Sequence, residues 1–378
     1  MVRPPLAIYI HWPFCRSKCP YCDFNSHVRE RVDAGNWTNA LLADLDRQAE
    51  LAPEQEVVSI FFGGGTPSLM PPDTAAALIE RVKRHWPIAA DLEITLEANP
   101  NSAEARRFEG FAKAGVNRLS LGVQALHPEA LKFLGRAHGR NEALAAIKLS
   151  QKLFPRTSFD LIYARPGQSL AAWRDELDEA VELAGEHLSL YQLTIEPGTA
   201  FHTRAAKGEF VPLDDETAAA MFELTQERLA AAGMPAYEIS NHARPGAECR
   251  HNLAYWRYED YLGIGPGAHG RITRYGVKYA TRHRRLPEAW LKNSHFEETA
   301  RIGRETAVEE MVMMGLRLVE GIPRAHLEAL AECDIKSLFG IGLARLIGGG
   351  FVTLDDDRLA ATAAGRQRLN AVLGTLFG

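Results

Sequence analysis

The chain lacks several things that would place it in a particular class. Its 378 residues contain only five cysteines, an odd number with three clustered between residues 15 and 22. A disulfide framework is therefore excluded, and a reducing compartment is expected. The net charge of −5 gives no global attraction to nucleic acid or anionic lipid. No apolar run is long enough to span a bilayer. The N-terminal Met-Val-Arg-Pro-Pro-Leu-Ala-Ile-Tyr-Ile-His has no long apolar core and no small-residue cleavage site, so a cytoplasmic location is expected, with peripheral contact at the inner membrane face left open. What remains is an ordinary globular composition, 46% hydrophobic and 24% charged, at a length that suits one barrel-sized domain and a smaller one.

The stretch from Tyr9 to His27 carries the strongest signal. Cys15, Cys19 and Cys22 form a C-x3-C-x2-C loop directly after an apolar strand. Three thiolates brought to one place select soft metals: an iron–sulfur cluster, zinc or copper(I). On a four-iron cube they leave one iron open to a small molecule; with His11 or His27 as a fourth ligand they would instead form a zinc knuckle.

Six strand-then-helix units follow. The strands are Ala7–Ile10, Val57–Phe62, Leu92–Leu96, Arg118–Gln124, Thr157–Tyr163 and His187–Ile195, with helices expected near 36–50, from an Asp73 N-cap to 84, 102–114, up to 153, and 169–184. Sequential parallel strands need crossovers, so the pattern predicts an α/β fold, either a partial barrel or an open doubly wound sheet. In both, ligands gather at the C-terminal strand ends. The cysteines, Gly64 to Thr66, Glu97 and Gln124 follow strand ends, and Asp160 lies within the fifth strand. The triplet Gly63-Gly64-Gly65 lacks the Gly-Lys-Ser/Thr of a phosphate loop.

Beyond a helix at 216–232 stands His251-Asn252-Leu253-Ala254-Tyr255-Trp256, two residues after Cys249. From Arg271 to Arg285 there are six Arg or Lys and no acid, which fits a solvated basic face or a clamp for a multi-carboxylate ligand. Past residue 306, short helices and a small hairpin resemble a winged helix. This part has nine acids against seven bases and three aspartates at the hairpin tip, the wrong sign for DNA, so no nucleic-acid partner is expected.

The cysteine loop paired with Gly63-Gly64-Gly65-Thr66-Pro67 is similar to the signature of the radical S-adenosylmethionine superfamily. The stretches Tyr9–Cys15, Leu96–Pro100, Leu121–Gln124, Gly135–His138 and Phe159–Tyr163 resemble the branch holding oxygen-independent coproporphyrinogen III oxidase and a heme chaperone. The resemblance implies a partial (β/α)6 barrel with its extension over residues 1–285 and a smaller, mostly helical, winged-helix-like domain over 286–378. It implies a [4Fe–4S] cluster on Cys15, Cys19 and Cys22, and S-adenosylmethionine against Tyr9, Tyr21, Gly64, Gly65, Thr66, Glu97, Gln124, Arg136 and Asp160.

Phe24 stands where the oxidase has a further cysteine, and the first strand begins earlier than in the oxidase. With the His-Asn-x-x-Tyr-Trp motif, which implies heme at His251, these point to the chaperone: a carrier binding cluster, S-adenosylmethionine and heme and passing heme to an acceptor protein, with an electron donor if the cluster is reduced. The oxidase, an enzyme of radical decarboxylation, and a zinc-stabilised binding module are the alternatives. Cys249 reads either as a further heme contact or as an ordinary buried thiol, and the basic run as a contact for heme propionates. A local departure occurs at Ala164-Arg165, where relatives have Gly-Leu before Pro-Gly.

Overall fold

The computed structural model describes residues 3–293 and 297–378; Met1 and Val2, the start of the N-terminal segment read above, lie outside the described residues. The strands of the main sheet are β1 (Pro5–Trp12), β2 (Glu56–Gly64), β3 (Ile88–Ala98), β4 (Arg118–Gln124), β5 (Arg156–Tyr163), β6 (His187–Gln192), β7 (Asn241–Ala243), β8 (Asp260–Ile264), β9 (His269–Arg274), β10 (Val277–His283) and β11 (Glu297–Arg301). Their order is β11-β10-β9-β8-β1-β2-β3-β4-β5-β6-β7. The run from β8 through β1 to β6 is parallel. The outer pairs at both edges are antiparallel.

All six expected strands are present, and they form the partial (β/α)6 barrel. Four further strands extend the sheet beyond β1 and one beyond β6. Parallel strands are covered on both faces, which explains why Leu6, Ile8 and Ile10 on one side and Ala7 on the other are all buried.

The helices follow their local chemistry. Asp33 caps α1 (Ala34–Ala49) by accepting from the Asn36 amide at 3.1 Å. The next, α2 (Pro72–His85), begins at Pro72 rather than at an Asp73 cap: proline has no N–H to lose in a first turn and its φ is preset, so Asp73 falls inside the helix against the dipole. The single helix expected over 102–114 is broken into Ser102–Ala105 and Phe108–Lys113. The sixth strand stops at Gln192 instead of Ile195.

The division between the two bodies lies later than the 285/286 boundary. Trp290 is fully buried and stacks on Trp37 of α1 at 5.5 Å, and β11 pairs with β10, so residues to Arg301 pack with the barrel. The tryptophan that follows the basic run anchors this stretch to the barrel.

A separate core begins at Val308, built from Val312, Leu316, Leu327, Phe339, Leu343, Val352, Leu359 and Val372. Its sheet has three short strands, β12 (Ile322–Pro323), β13 (Val352–Leu354) and β14 (Arg358–Ala361), in the order β12-β14-β13. Helices with this small wing match the expected winged-helix-like shape. At the wing tip Asp355 accepts from the amides of Asp357 and Arg358, so one acid closes the turn. The two bodies meet through Arg271–Glu310 at 2.8 Å and through Arg317, whose guanidinium lies 4.4 Å from the Trp256 ring centre.

Candidate functional site at the barrel mouth

The C-terminal strand ends surround an open cleft. Cys15, Cys19 and Cys22 line it together with Tyr21, Gly64, Gly65, Thr66, Glu97, Gln124, Arg136 and Asp160. Thus every residue assigned to the cluster, and all but one assigned to S-adenosylmethionine, is brought to one place.

The exception is Tyr9, whose side chain sits deeper in the barrel. Its hydroxyl donates to His11 Nδ1 at 3.0 Å, and His11 Nε2 donates to the Asn25 carbonyl at 2.9 Å. Tyr9 therefore reaches the cysteine loop through His11. Burial lowers the pKa of His11 to about 4, so it stays neutral and keeps this relay of hydrogen bonds in one direction.

Each sulfur has a hydrogen-bonding partner, which donates at Cys15 and Cys19 and can donate or accept at Cys22. Thr66 Oγ1 lies 3.4 Å from Cys15 Sγ, Arg136 Nη1 3.1 Å from Cys19 Sγ, and Ser26 Oγ 3.8 Å from Cys22 Sγ. Burial pushes the thiols of Cys15 and Cys22 up, so without metal they hold their protons. Among the described residues no group of three or more His, Cys, Asp or Glu side chains converges to hold a single metal ion. The three thiols share a cleft, as the separate corners of a multi-iron cluster require.

Glycine at 64 and 65 is dictated by the protein's own packing. A β-carbon on Gly65 would lie 2.7 Å from the Phe14 carbonyl oxygen, and one on Gly64, where φ is +116°, 2.6 Å from His11 Cε1. The close approach brings the Gly65 and Thr66 amides to the carbonyls of Trp12 and Phe14, each at 2.8 Å. These contacts dock the cysteine loop onto the end of β2.

The other wall is electrically incomplete. Glu97 has its pKa raised to about 8, by burial first and then by Asp160; burial raises Asp160 to about 6. Among the described residues neither has an ion-pair partner in the cleft. Arg136 Nε is buried without an acceptor, although the rest of that guanidinium donates to Asn99 Oδ1 at 2.5 Å and the Gly122 carbonyl at 2.8 Å. Gln124 takes a φ of +72°, a strained conformation that aims a strand-end side chain at the cleft. Two carboxylates without an ion pair and one N–H lacking an acceptor, among the described residues, suit a ligand that carries an ammonium, a carboxylate and ribose hydroxyls.

Asn99, which is not among the residues the sequence points to, also belongs to the site. It accepts from Arg136 and donates to Thr66 Oγ1 at 3.3 Å, joining the cluster loop to the opposite wall. Its position in Leu-Glu-Ala-Asn-Pro, directly beyond a strand end, was the available signal.

His251 is placed elsewhere. It is 1% exposed on the helix Arg250–Trp256, which closes the barrel floor, and its ring stacks on Phe61 at 4.9 Å. Both nitrogens are engaged, Nδ1 with Ser59 Oγ and Nε2 with Tyr255 Oη, each at 2.9 Å. Burial, then Arg118, lowers its pKa to about 3. A neutral imidazole is a good ligand, but this one offers no free lone pair and does not line the cleft. Cys249 is fully buried, donates to Glu93 Oε1 at 3.3 Å, and is pushed up to about 12 by burial and then by Glu93, the behaviour of an ordinary packed thiol.

The basic run is mostly committed: Arg271 to Glu310, Lys278 to Asp260 at 3.3 Å, and Arg282 to Glu298. It is not a continuous clamp. Arg165, the unusual residue after β5, is buried and pairs with Glu176 at 2.5 Å. Among the described residues no helix is long and apolar enough to cross a membrane.

Comparison with known proteins agrees with this geometry. The radical SAM superfamily model matches residues 9–180, and the HemN C-terminal domain model matches residues 302–368. The heme chaperone HemW of Escherichia coli (strain K12) is 42% identical, covering 98% of this chain and 97% of its own length. A mitochondrial protein of Danio rerio, radical S-adenosyl methionine domain-containing protein 1, is 37% identical over 98% of this chain and 86% of its own. The solved structure of E. coli coproporphyrinogen III oxidase (HemN) superposes with a TM-score of 0.82 over 99% of this chain and 90% of that one, at 22% identity, and so shares the fold. Membership in the superfamily implies a [4Fe–4S] cluster and S-adenosylmethionine, for which the thiols and the incomplete wall of the cleft are suited. The chain belongs to the radical S-adenosylmethionine superfamily and, within it, to the HemW family.

Proposed function

We propose that the chain is a heme chaperone: it binds heme beside a [4Fe–4S] cluster and S-adenosylmethionine and passes the heme to an acceptor protein. The observation that carries this reading is the likeness to a protein named as a heme chaperone, which runs through both bodies of the chain, where the likeness to the oxidase extends to the fold alone. Phe24, in place of the oxidase's further cysteine, supports it.

Cys15, Cys19 and Cys22 hold the cluster, and the donors on their sulfurs tune it. Gly64, Gly65, Thr66, Tyr21, Glu97, Gln124, Arg136 and Asp160 bind S-adenosylmethionine, with Tyr9 acting through His11. When bound, the cluster and S-adenosylmethionine supply one-electron chemistry. The chain's own part is to place them, to offer Glu97 and Asp160 to positive and hydroxyl groups, and to keep the barrel floor closed to water. The protein works in the cytoplasm, meets its acceptor there or at the inner membrane face, and takes an electron from a donor when the cluster is reduced.

The test uses protein reconstituted with iron and sulfide under anaerobiosis. Heme binding, transfer to an apo-acceptor and no formation of protoporphyrinogen from coproporphyrinogen III are expected. Turnover would establish the oxidase instead. Zinc in place of iron and sulfide in the freshly isolated protein would return the site to a zinc-stabilised binding module.

A further inference from the structure

Glu104 lines the cleft, yet none of the roles above falls to it. It is buried, on the short helix Ser102–Ala105. Asn101-Ser102-Ala103-Glu104 has the spacing of a capping box, and Asn101 Oδ1 accepts from the Glu104 amide at 3.0 Å. A capping-box glutamate ordinarily reaches back to the N–H of the cap residue itself. Glu104 turns inward instead. Its Oε2 accepts from the Ser68 hydroxyl and from the Asn99 amide at 2.9 Å, and its Oε1 from Asn101 Nδ2 at 2.6 Å and Asn99 Nδ2 at 3.4 Å. Ser68 lies just beyond the glycine-rich end of β2 and Asn99 just beyond β3, so one buried carboxylate ties two strand-end loops together.

These contacts fix the direction of a chain of hydrogen bonds that ends on two of the three cluster sulfurs. A carboxylate only accepts and a guanidinium only donates, so the Asn99 side chain between them has one orientation. Its Nδ2 faces Glu104, and its Oδ1 accepts from Arg136 Nη2 at 2.5 Å. The same Nδ2 donates to Thr66 Oγ1 at 3.3 Å, which leaves the Thr66 hydrogen for Cys15 Sγ at 3.4 Å. Arg136, held by Asn99 and the Gly122 carbonyl, aims Nη1 at Cys19 Sγ at 3.1 Å. Cys22 stands outside this chain, with Ser26 as its partner.

We infer that Glu104 is a positioning residue for the cofactors: through Asn99 it sets the hydrogen bonds on Cys15 and Cys19 and holds Arg136 at the ligand. Glu104 donates to no sulfur, and four donors fill its two oxygens, so it acts only through its partners. An amide cannot replace it, because glutamine has one accepting end where Glu104 has two. With that end toward the side chains of Asn101 and Asn99, the Asn99 backbone N–H faces an NH2 group. With the amide turned over, the Asn99 side-chain NH2 does, so in either orientation a buried donor of Asn99 loses its acceptor. The inference rests on the cluster and S-adenosylmethionine reading above and names what orders that site.

The experiment compares wild type, Glu104→Gln, Asn99→Ala and the double variant, all full-length and reconstituted anaerobically with iron and sulfide. Cluster potential is read by spectroelectrochemistry and S-adenosylmethionine affinity by equilibrium binding. Glu104→Gln is expected to weaken S-adenosylmethionine several-fold and to move the potential to a more negative value, as loss of hydrogen bonds to sulfur does. The sign is decisive. Removing a nearby negative charge while the hydrogen bonds stay intact would move the potential the other way. An unchanged or more positive potential in Glu104→Gln would therefore overturn the inference and leave the cofactor reading standing. In the Asn99→Ala background the same substitution should bring no further downward move and no further loss of affinity. A second effect of full size there would show that Glu104 does not act through Asn99, and would overturn the inference too. Should Glu104→Gln fail to take up the cluster, Glu104→Asp, which keeps the charge and withdraws it from Asn99, takes its place with the same downward shift expected and an unchanged potential overturning. Wild-type protein that takes up no cluster, or binds no S-adenosylmethionine, would sink the cofactor reading and the inference with it.

Discussion

The mouth and the floor of the barrel are both lined by polar side chains, yet they are finished differently. At the floor, Glu93 accepts from Cys249 Sγ and from the Arg250 amide and pairs with Arg156 at 2.8 Å, with Arg118 at 3.9 Å. His187 is held by Ser158 and Tyr237, and His251 by Ser59 and Tyr255. At the mouth, Glu97 and Asp160 face each other, and among the described residues neither makes an ion pair and Arg136 Nε has no acceptor. Glu93 Oε2 makes no hydrogen bond, but its charge is paired; a buried set whose charges are paired is a plug, and one whose charges are not is completed by a ligand. The same residue types, Glu, Arg, Tyr and His, build both, so the difference lies in pairing and cannot be counted from composition.

The largest effect should come from breaking the floor. Glu93→Ala removes the carboxylate with which Arg156 and the buried Arg118 pair and is expected to cost about 3–5 kcal/mol in urea unfolding of the apo-protein. Glu97→Ala, at the mouth, should cost far less. If the two substitutions cost the same, the contrast between plug and site fails.

The pH dependence sharpens the same contrast. Glu97, near 4.5 when unfolded and about 8 when folded, binds a proton more tightly in the folded state. Its contribution to stability is therefore fully present below pH 4.5 and is lost as pH rises toward 8, with Asp160 adding a similar loss between about 3.8 and 6. The two carboxylates titrate as a pair, so the observed steps belong to both. Apo-protein stability should fall across this window, and Glu97→Gln should flatten the fall. A slope unchanged by Glu97→Gln would mean that the mouth is less incomplete than it looks.

Much of this arrangement was legible in the sequence. Period and turn chemistry gave the six strands, and strand ends gave the cleft, because the C-terminal ends of parallel strands open on one face whatever lies in the loops. The edge strands β7 to β11 were not legible: they are short or belong to an antiparallel meander whose polar residues read as surface. The placement of His251 was hidden for another reason. Its motif sits on a helix of seven residues, Arg250–Trp256, that packs inside the barrel, and a local pattern does not reveal which face of a sheet a helix covers. Gly64 and Gly65 were legible as requirements, but what they accommodate, His11 and the Phe14 carbonyl, depends on how a loop closes.

Thr66→Val tests the bridge between loop and wall. It removes the hydroxyl that donates to Cys15 and accepts from Asn99, at a stability cost of about 1 kcal/mol. With one hydrogen bond fewer on a sulfur ligand, the cluster should be harder to reduce, and its potential, measured by anaerobic spectroelectrochemistry, should move to a more negative value. An unchanged potential would assign Thr66 to structure alone.

The smallest effect compares two strained strand ends. Gln124 after β4 and Ala164 after β5 both have positive φ, +72° and +56°, where a non-glycine residue carries a strain of about 1–2 kcal/mol. Ala164→Gly relieves that strain and loses about 0.5–1 kcal/mol to the freer unfolded chain, for a net gain of about 0.5 kcal/mol. Next to it, Arg165 keeps its pairing with Glu176 and its donation to the Ile162 carbonyl at 2.8 Å, so nothing else at this corner should change. Gln124→Gly should gain as much in thermal unfolding, since the backbone reason is identical. It should also weaken S-adenosylmethionine in equilibrium binding, because its side chain lines the cleft. Ala164→Gly should leave that binding intact. Loss of binding in both variants would mean that the strain at these strand ends, rather than the Gln124 side chain, shapes the mouth.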